Sequence, residues 1–417
     1  MRIQFYAFFL FIYFFCGLNL KAKTDKYRLI IRDNPATSMC IGWNQISGFN
    51  PVVYYDTIDH GNNVTSYTKS IKPIRQVSFR EMTNTFARLE NLKPQTKYYF
   101  IIKDDNSTSQ RFWFETLPND SKTPLSIIFG GDSRRSRRGN DSHEPRVNTN
   151  KMVAKVKPHF VAFGGDFTLN DGDKQWATWF DDWQYSIDQT GKITPLVPTR
   201  GNHERSNEVI VNLFDIEEKT VVYALNFGGN LLRLYTLNSL DPIVESNQTN
   251  WLKNDLETHK NKEIWRIAQY HYPIMPHQST KHIQVDQFNH WAPLFFKYKF
   301  RVVVESDAHV VKTTWPIKPS VDGDDGFIRD TNGTTYVGEG SWGLTRPNDV
   351  SYAWTRATAS FTQFKWVILS EKEMIVRTVI TTNIEDAKEV ALDDRYKTPS
   401  GFKLWKIDNL NELVVQP

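Results

Sequence analysis

The sequence predicts two domains in tandem: an all-β sandwich over residues 23–118, then a layered α/β domain over residues 123–385, with an extension over 386–417. Three observations carry this. The chain has 417 residues, more than one core ordinarily organises. Its first part consists of short β-branched and aromatic runs separated by Pro, Gly and Asn. After a polar stretch at 118–123 the texture changes to continuous apolar runs alternating with helical segments, the pattern of strands buried on both faces.

The composition narrows the class. With 40% hydrophobic and 24% charged residues the chain is globular, not disordered. Its 51 basic residues against 47 acidic ones, net +4, are too balanced for a nucleic-acid binder. The sharpest basic run is Arg134, Arg135, Arg137 and Arg138, read either as a solvated loop or as an anion-attracting rim.

At the N-terminus Arg2 precedes an apolar run over 5–15, and Ala22 offers a small residue for cleavage. Residues 1–22 therefore read as a secretory signal, and the protein as secreted or periplasmic. The alternatives are an uncleaved anchor or a lipid on Cys16; the bulky Tyr13, Phe14 and Phe15 argue against the lipid. Removal of the signal leaves Cys40 as the sole cysteine, so no internal disulfide forms, which favours a bacterial envelope. The N-x-S/T triplets at Asn63, Asn106 and Asn247 carry glycans only in a eukaryotic setting.

In the front domain, strands are predicted at 27–31, 39–43, 52–56, 98–102 and 111–116. The stretch Leu89-Glu90-Asn91-Leu92-Lys93-Pro94-Gln95-Thr96-Lys97-Tyr98-Tyr99-Phe100 resembles the fibronectin type III pattern, with a tyrosine corner beside a strand and Trp43 in the core. In the second domain one event recurs. The run 125–129 ends in Gly130-Gly131-Asp132, 160–163 in Gly164-Gly165-Asp166, 195–198 leads to Gly201-Asn202-His203, 264–270 to His271, and 300–304 to Asp307 and His309. Helices are expected at 174–185 and 250–259, and strands at 364–370 and 373–381 complete the second sheet.

Open α/β sheets gather ligands at the carboxyl ends of their strands. Five such ends, each offering Asp, Asn or His, can surround a pair of divalent ions, which suits phosphate-ester hydrolysis. An Asp after Gly-Gly is by itself an ordinary turn residue, and a lone His an ordinary core residue. The blocks in order outweigh those readings.

The order Gly-Asp, Gly-Asp, Gly-Asn-His-Glu, His, x-x-His resembles the calcineurin-like metallophosphoesterases, and the domain in front resembles that of the purple acid phosphatases. The resemblance implies an α/β/β/α catalytic sandwich and a two-ion centre of Fe, Mn, Zn or Mg. It implies that Asp132 and His309 hold one ion, Asp166 bridges, and Asn202 and His271 hold the other. His203 then contacts the phosphate and assists the leaving oxygen.

The chain departs from that pattern at two places. Leu169 stands where the purple members carry a Tyr, so an iron colour is not expected. Asp307 replaces a histidine, and as a hard ligand it turns the preference toward Mn, Mg or Fe(II). Arg134 follows where some relatives place another ligand, which leaves the first ion short of ligands. Of His277 and His282 on the next loop, His277 is taken to grip phosphate; Trp342 reads as core, and Glu305 as support for the altered block.

The expected activity is hydrolysis of small phosphomonoesters. A phosphodiesterase or nucleotidase on the same centre is the alternative within the class, and a non-catalytic adhesion protein the alternative outside it.

Overall fold

The structure, a computed structural model, describes residues 24–134, 143–244, 247–382 and 384–417. The segment read as a secretory signal, Cys16 within it, and Arg135, Arg137 and Arg138 lie outside these residues. No helix among the described residues is long and apolar enough to cross a membrane.

The front domain is a β-sandwich. Thr24–Ile30, Met39–Gln45, Met82–Leu89 and Arg75–Phe79 form one layer; Lys69–Ile71, Val52–Asp56, Lys97–Lys103 and Phe112–Glu115 form the other. Between them pack Leu29, Ile41, Trp43 and Ala87 from the first layer and Val53, Tyr98, Phe100 and Phe114 from the second. Trp43 is fully buried, and its indole N–H donates to Gln45 Oε1 at 2.7 Å. The Tyr98 hydroxyl accepts the Lys93 backbone N–H at 2.8 Å, a tyrosine corner that clamps the turn before the strand.

Three strands of this domain escaped the sequence reading: Lys69–Ile71, Arg75–Phe79 and Met82–Leu89. In Met82–Leu89 the alternation is obscured because Asn84 and Thr85 are buried with the apolar residues. Arg28 donates from Nη2 to Asn84 Oδ1 at 2.7 Å, and its guanidinium lies 4.4 Å from the Phe180 ring centroid.

The second domain has two facing sheets. In one, Leu125–Gly130, Phe160–Phe163 and Pro195–Pro198 run parallel. In the other, Leu232–Thr236, Trp265–Gln269, Val302–Glu305 and Thr335–Gly338 run parallel. Alternate side chains of the second sheet serve two cores. Leu234, Ile267 and Val302 face the first sheet, whereas Tyr235, Ala268 and Val303 pack with Leu252 and Leu256 of the helix Asn247–His259 and Phe295 of the helix Ala292–Lys297. The helices Glu144–Val156 and Asp173–Trp183 join the first sheet's core through Met152, Val153, Trp176, Trp179 and Trp183. This is the α/β/β/α order.

The strands Gln363–Leu369 and Met374–Ile380 correct one expectation. They extend the first sheet, antiparallel beside Leu125–Gly130, instead of completing the second. Periodicity marks a strand and not the edge it joins. The chain beyond 386 adds Lys403–Leu404 and Leu413–Val415 to the outer side of Met374–Ile380.

The two domains share a sheet. Thr24–Ile30 pairs in parallel with Pro195–Pro198, with Leu29 opposite Pro195 and Ile30 opposite Leu196, so one 11-stranded sheet runs through both. A four-way ionic contact reinforces the seam. Asp215, just after the helix Asn207–Phe214, meets Arg88 Nε at 2.8 Å, Arg75 Nη1 at 3.1 Å and Arg32 Nε at 3.2 Å.

Candidate metal centre

Loops at the carboxyl ends of both sheets converge on one point. Their close approach depends on residues without side chains. A Cβ on Gly164 would lie 2.1 Å from Ser306 Oγ, so the loop from the second sheet can seat on the first only over a glycine. A Cβ on Gly201 would lie 2.2 Å from the Asp166 backbone nitrogen. Asp132, Asp166, Asp307 and His309 themselves take positive φ of 61°, 54°, 70° and 60°, the left-handed turn that swings a strand-end side chain inward.

The ligand atoms form two clusters. Asp132, Asp166 and His309 bring one donor atom each to within 4.8 Å of one another, and so do Asp166, His271 and Asp307. Asp166 belongs to both. Asn202 joins the second cluster, its Oδ1 being 3.0 Å from His271 Nε2. All six metal candidates named from the sequence are thus brought together.

The donor chemistry fits divalent cations. Asp132 Oδ1 and Asp166 Oδ2 are buried and accept no hydrogen bond among the described residues, a costly state for carboxylate oxygens without a cation. Burial, with the charges of Asp166 and Asp307 added, pushes the Asp132 carboxyl well above the ordinary carboxylate range. Burial alone would lower the His271 imidazole, yet Asp166, Asp307 and Asp132 hold it well above its usual value. Burial would likewise raise Asp307, but His271 and Lys281 bring it below.

His203 stands at the rim. Its backbone N–H donates to Asp166 Oδ1 at 2.9 Å, its Nδ1 is bonded to the Leu169 carbonyl, and its Nε2 lies 3.7 Å from Asp166 Oδ2. A carbonyl only accepts, so Nδ1 carries the proton and Nε2 is turned toward the centre. Burial lowers the ring's affinity for a second proton.

Glu204 and Lys281 carry no role in the sequence reading, and Arg134 figures there only as part of a basic run and in a place where some relatives put a ligand. Glu204 Oε2 accepts the backbone N–H of Asp166 at 2.9 Å and Gly201 at 2.8 Å, and its Oε1 that of Phe167 at 2.9 Å, which locks the bridging loop to the Asn202–His203 loop. Burial and the neighbouring Asp166 push its carboxyl up to about 8. Glu204→Gln turns one of these acceptors into a donor facing a donor. The expected loss is about 2–3 kcal/mol of stability together with weaker metal uptake, measured by thermal unfolding and metal titration.

The other two are cations. Arg134 Nη2 lies 2.8 Å from His309 Nε2 and its Nε 3.5 Å from Asp166 Oδ2. Lys281 Nζ lies 2.5 Å from Asp307 Oδ1. The basic run and the Gly-Asp block foreshadowed the first, and nothing in the sequence ties Lys281 to residue 307.

His277 belongs to neither donor cluster. Its fully buried ring sits 3.3 Å from Glu339 Oε1 and 2.7 Å from Thr355 Oγ1, edge-on to the stacked rings of Tyr352 and Trp354. It supports the loop behind the site, because the Glu339 carbonyl accepts the His309 N–H at 2.8 Å. Glu305 lies in the same layer, accepting from Tyr270 Oη at 2.8 Å and paired with Lys312. Trp342 is core, its Nε1 donating to Asn150 Oδ1 at 2.9 Å.

Facing sheets with carboxylates and histidines at their converging strand ends define a metallophosphoesterase. Residues 24–116 match the model described as purple acid phosphatase, N-terminal domain, and residues 139–311 that of the calcineurin-like phosphoesterases. The chain is a purple acid phosphatase-like member of the calcineurin-like phosphoesterases. An uncharacterized protein of Mycobacterium tuberculosis is 22% identical over 372 residues, covering 76% of this chain and 69% of that protein. Among solved structures, the yellow lupin seed purple acid phosphatase superposes with a TM-score of 0.70 at 14% identity, covering 90% of this chain and 76% of that one. PhoD superposes with a TM-score of 0.63 at 10% identity, covering 95% and 92%. Both likenesses are of fold.

Proposed function

We propose that the protein is an exported phosphomonoesterase whose reaction depends on divalent metal held at Asp132, Asp166, Asn202, His271, Asp307 and His309. The observation that carries this reading is the sharing of Asp166 between two donor clusters. Divalent metal held by these residues would supply Lewis acidity toward a phosphate ester. The chain's own residues do the rest. Asp166 and Asp307, almost fully buried, present carboxylate oxygens in a site with little water. His203 turns Nε2 toward the centre, and only the doubly protonated ring, which burial disfavours, carries a proton there for the departing alkoxide, so this assistance belongs to the acid side of the pH range. Lys281 and Arg134 offer N–H donors to phosphoryl oxygens. Mn, Mg or Fe(II) suits the carboxylate-rich donor set better than Zn. Export is supported by the sequence of residues 1–22.

The test is turnover of a phosphomonoester and of a bis-ester, each before and after exhaustive chelation. The expected result is monoester hydrolysis that chelation abolishes and Mn restores. Preference for the bis-ester moves the protein to the phosphodiesterases, and activity unchanged by chelation removes the metal from the mechanism.

A further inference from the structure

The two donor clusters are not equivalent, and the difference lies in the cations that touch them. Arg134 comes directly after the strand end bearing Asp132. Its side chain is only 5% exposed, and its Nη2 lies 2.8 Å from His309 Nε2. That nitrogen is the atom His309 offers to the first cluster; it also lies 3.5 Å from Asp132 Oδ1. The Arg134 guanidinium Nε points toward Asp166 Oδ2 at 3.5 Å without a hydrogen-bond acceptor among the described residues. A guanidinium keeps its charge in such surroundings and cannot ligate a metal.

The second cluster has a different neighbour. Lys281 approaches Asp307 from the loop after Ile274, and its side chain is 18% exposed. It touches one carboxylate oxygen and neither His271 nor Asn202 through any described hydrogen bond. An ammonium on a flexible, partly solvated stem can turn outward, whereas the buried guanidinium has no such route.

We propose that Arg134 stands in for the first metal ion, so that the chain binds one divalent ion tightly, through Asp166, Asn202, His271 and Asp307, and uses the guanidinium as the fixed positive charge on the Asp132–His309 side. This inference rests on the metallophosphoesterase reading and refines it. The fork of N–H donors on Arg134 then faces the phosphoryl group from the side opposite the ion. Lys281, released from Asp307 when the ion binds, becomes available to a substrate oxygen.

The experiment is Mn(II) titration of the full chain after chelator stripping, read by equilibrium metal content and by electron paramagnetic resonance. For the wild type we expect one equivalent bound, any second at least tenfold weaker, and the six-line spectrum of an isolated Mn(II). Arg134→His removes the guanidinium and supplies a neutral nitrogen, and is expected to take two equivalents with an exchange-coupled spectrum. Two equivalents of similar affinity, or a coupled spectrum, in the wild type overturn the proposal without need of any variant. So does a folded Arg134→His protein, checked by its unfolding midpoint, that still takes one ion. Lys281→Ala is expected to keep the single equivalent and its six-line spectrum; loss of the ion there contradicts the assignment of the tight position. Absence of turnover on every phosphate ester defeats the functional reading and leaves the ion count standing, while two tight ions in an active enzyme do the reverse.

Discussion

Asp166→Ala is expected to abolish tight metal binding and to lower turnover by about a thousandfold or more, ~4 kcal/mol of transition-state stabilisation. Asp166 is the one carboxylate in both donor clusters, so its loss leaves Asp132 and His309 in the first and His271, Asp307 and Asn202 in the second, with nothing shared between them. It also removes the acceptor of the His203 backbone N–H, so the rim histidine loses its anchor with the ions. His203→Ala is the contrast. It removes a side chain that belongs to neither cluster, so metal content stays as in the wild type while turnover falls by about a hundredfold or more. Metal analysis beside turnover for both variants separates a scaffold defect from a chemical one. Equal metal content in Asp166→Ala and wild type would contradict the bridging role.

The second large effect is on stability. Asp215→Ala is expected to destabilise the fold by about 3–5 kcal/mol, because it leaves the guanidinium groups of Arg32, Arg75 and Arg88 around a buried position without their shared carboxylate. Burial would raise the Asp215 carboxyl, but Arg88, Arg32 and Arg75 hold it below the ordinary range. A carboxyl lowered by folding contributes stability that is complete above its unfolded pKa, about 3.9, and is lost as pH falls through the folded value. The wild type should therefore lose this part of its stability only in acid, below about pH 4, whereas Asp215→Ala lacks it at every pH. Unfolding midpoints of both proteins across pH 3–7 check this. A constant difference between them down to pH 3 would show that the arginines are held by other groups.

What the sequence disclosed and what it withheld divide along physical lines. Asp132, Asp166, Asn202, His271, Asp307 and His309 were legible because each follows a buried strand, often through glycines that have no other reason to be there. The α/β/β/α order was legible because doubly buried strands and helices alternate in the chain. The sheet membership of Gln363–Leu369 and Met374–Ile380 was not, since strands of either sheet carry the same apolar pattern. Met82–Leu89 was hidden by Asn84, whose partner Arg28 lies 56 positions away. The surroundings of His277 were not legible either: a histidine on a loop near the site carries no mark of its partners, and only packing shows its ring held by Glu339 and Thr355. Glu204, Arg134 and Lys281 act through contacts between loops, and such contacts leave no spacing to read.

The parallel pairing of Thr24–Ile30 with Pro195–Pro198 bears on modularity. Pro195–Pro198 is the strand that delivers Asn202, His203 and Glu204, and its outer edge is covered by the very first described strand of the chain. A catalytic half separated at residues 118–123 would begin life with that edge bare, beside the loop on which its chemistry depends, and open edges recruit foreign strands. The front sandwich is therefore no detachable passenger. Grafting, truncation or proteolytic release at the linker should yield an aggregating fragment in place of a smaller enzyme.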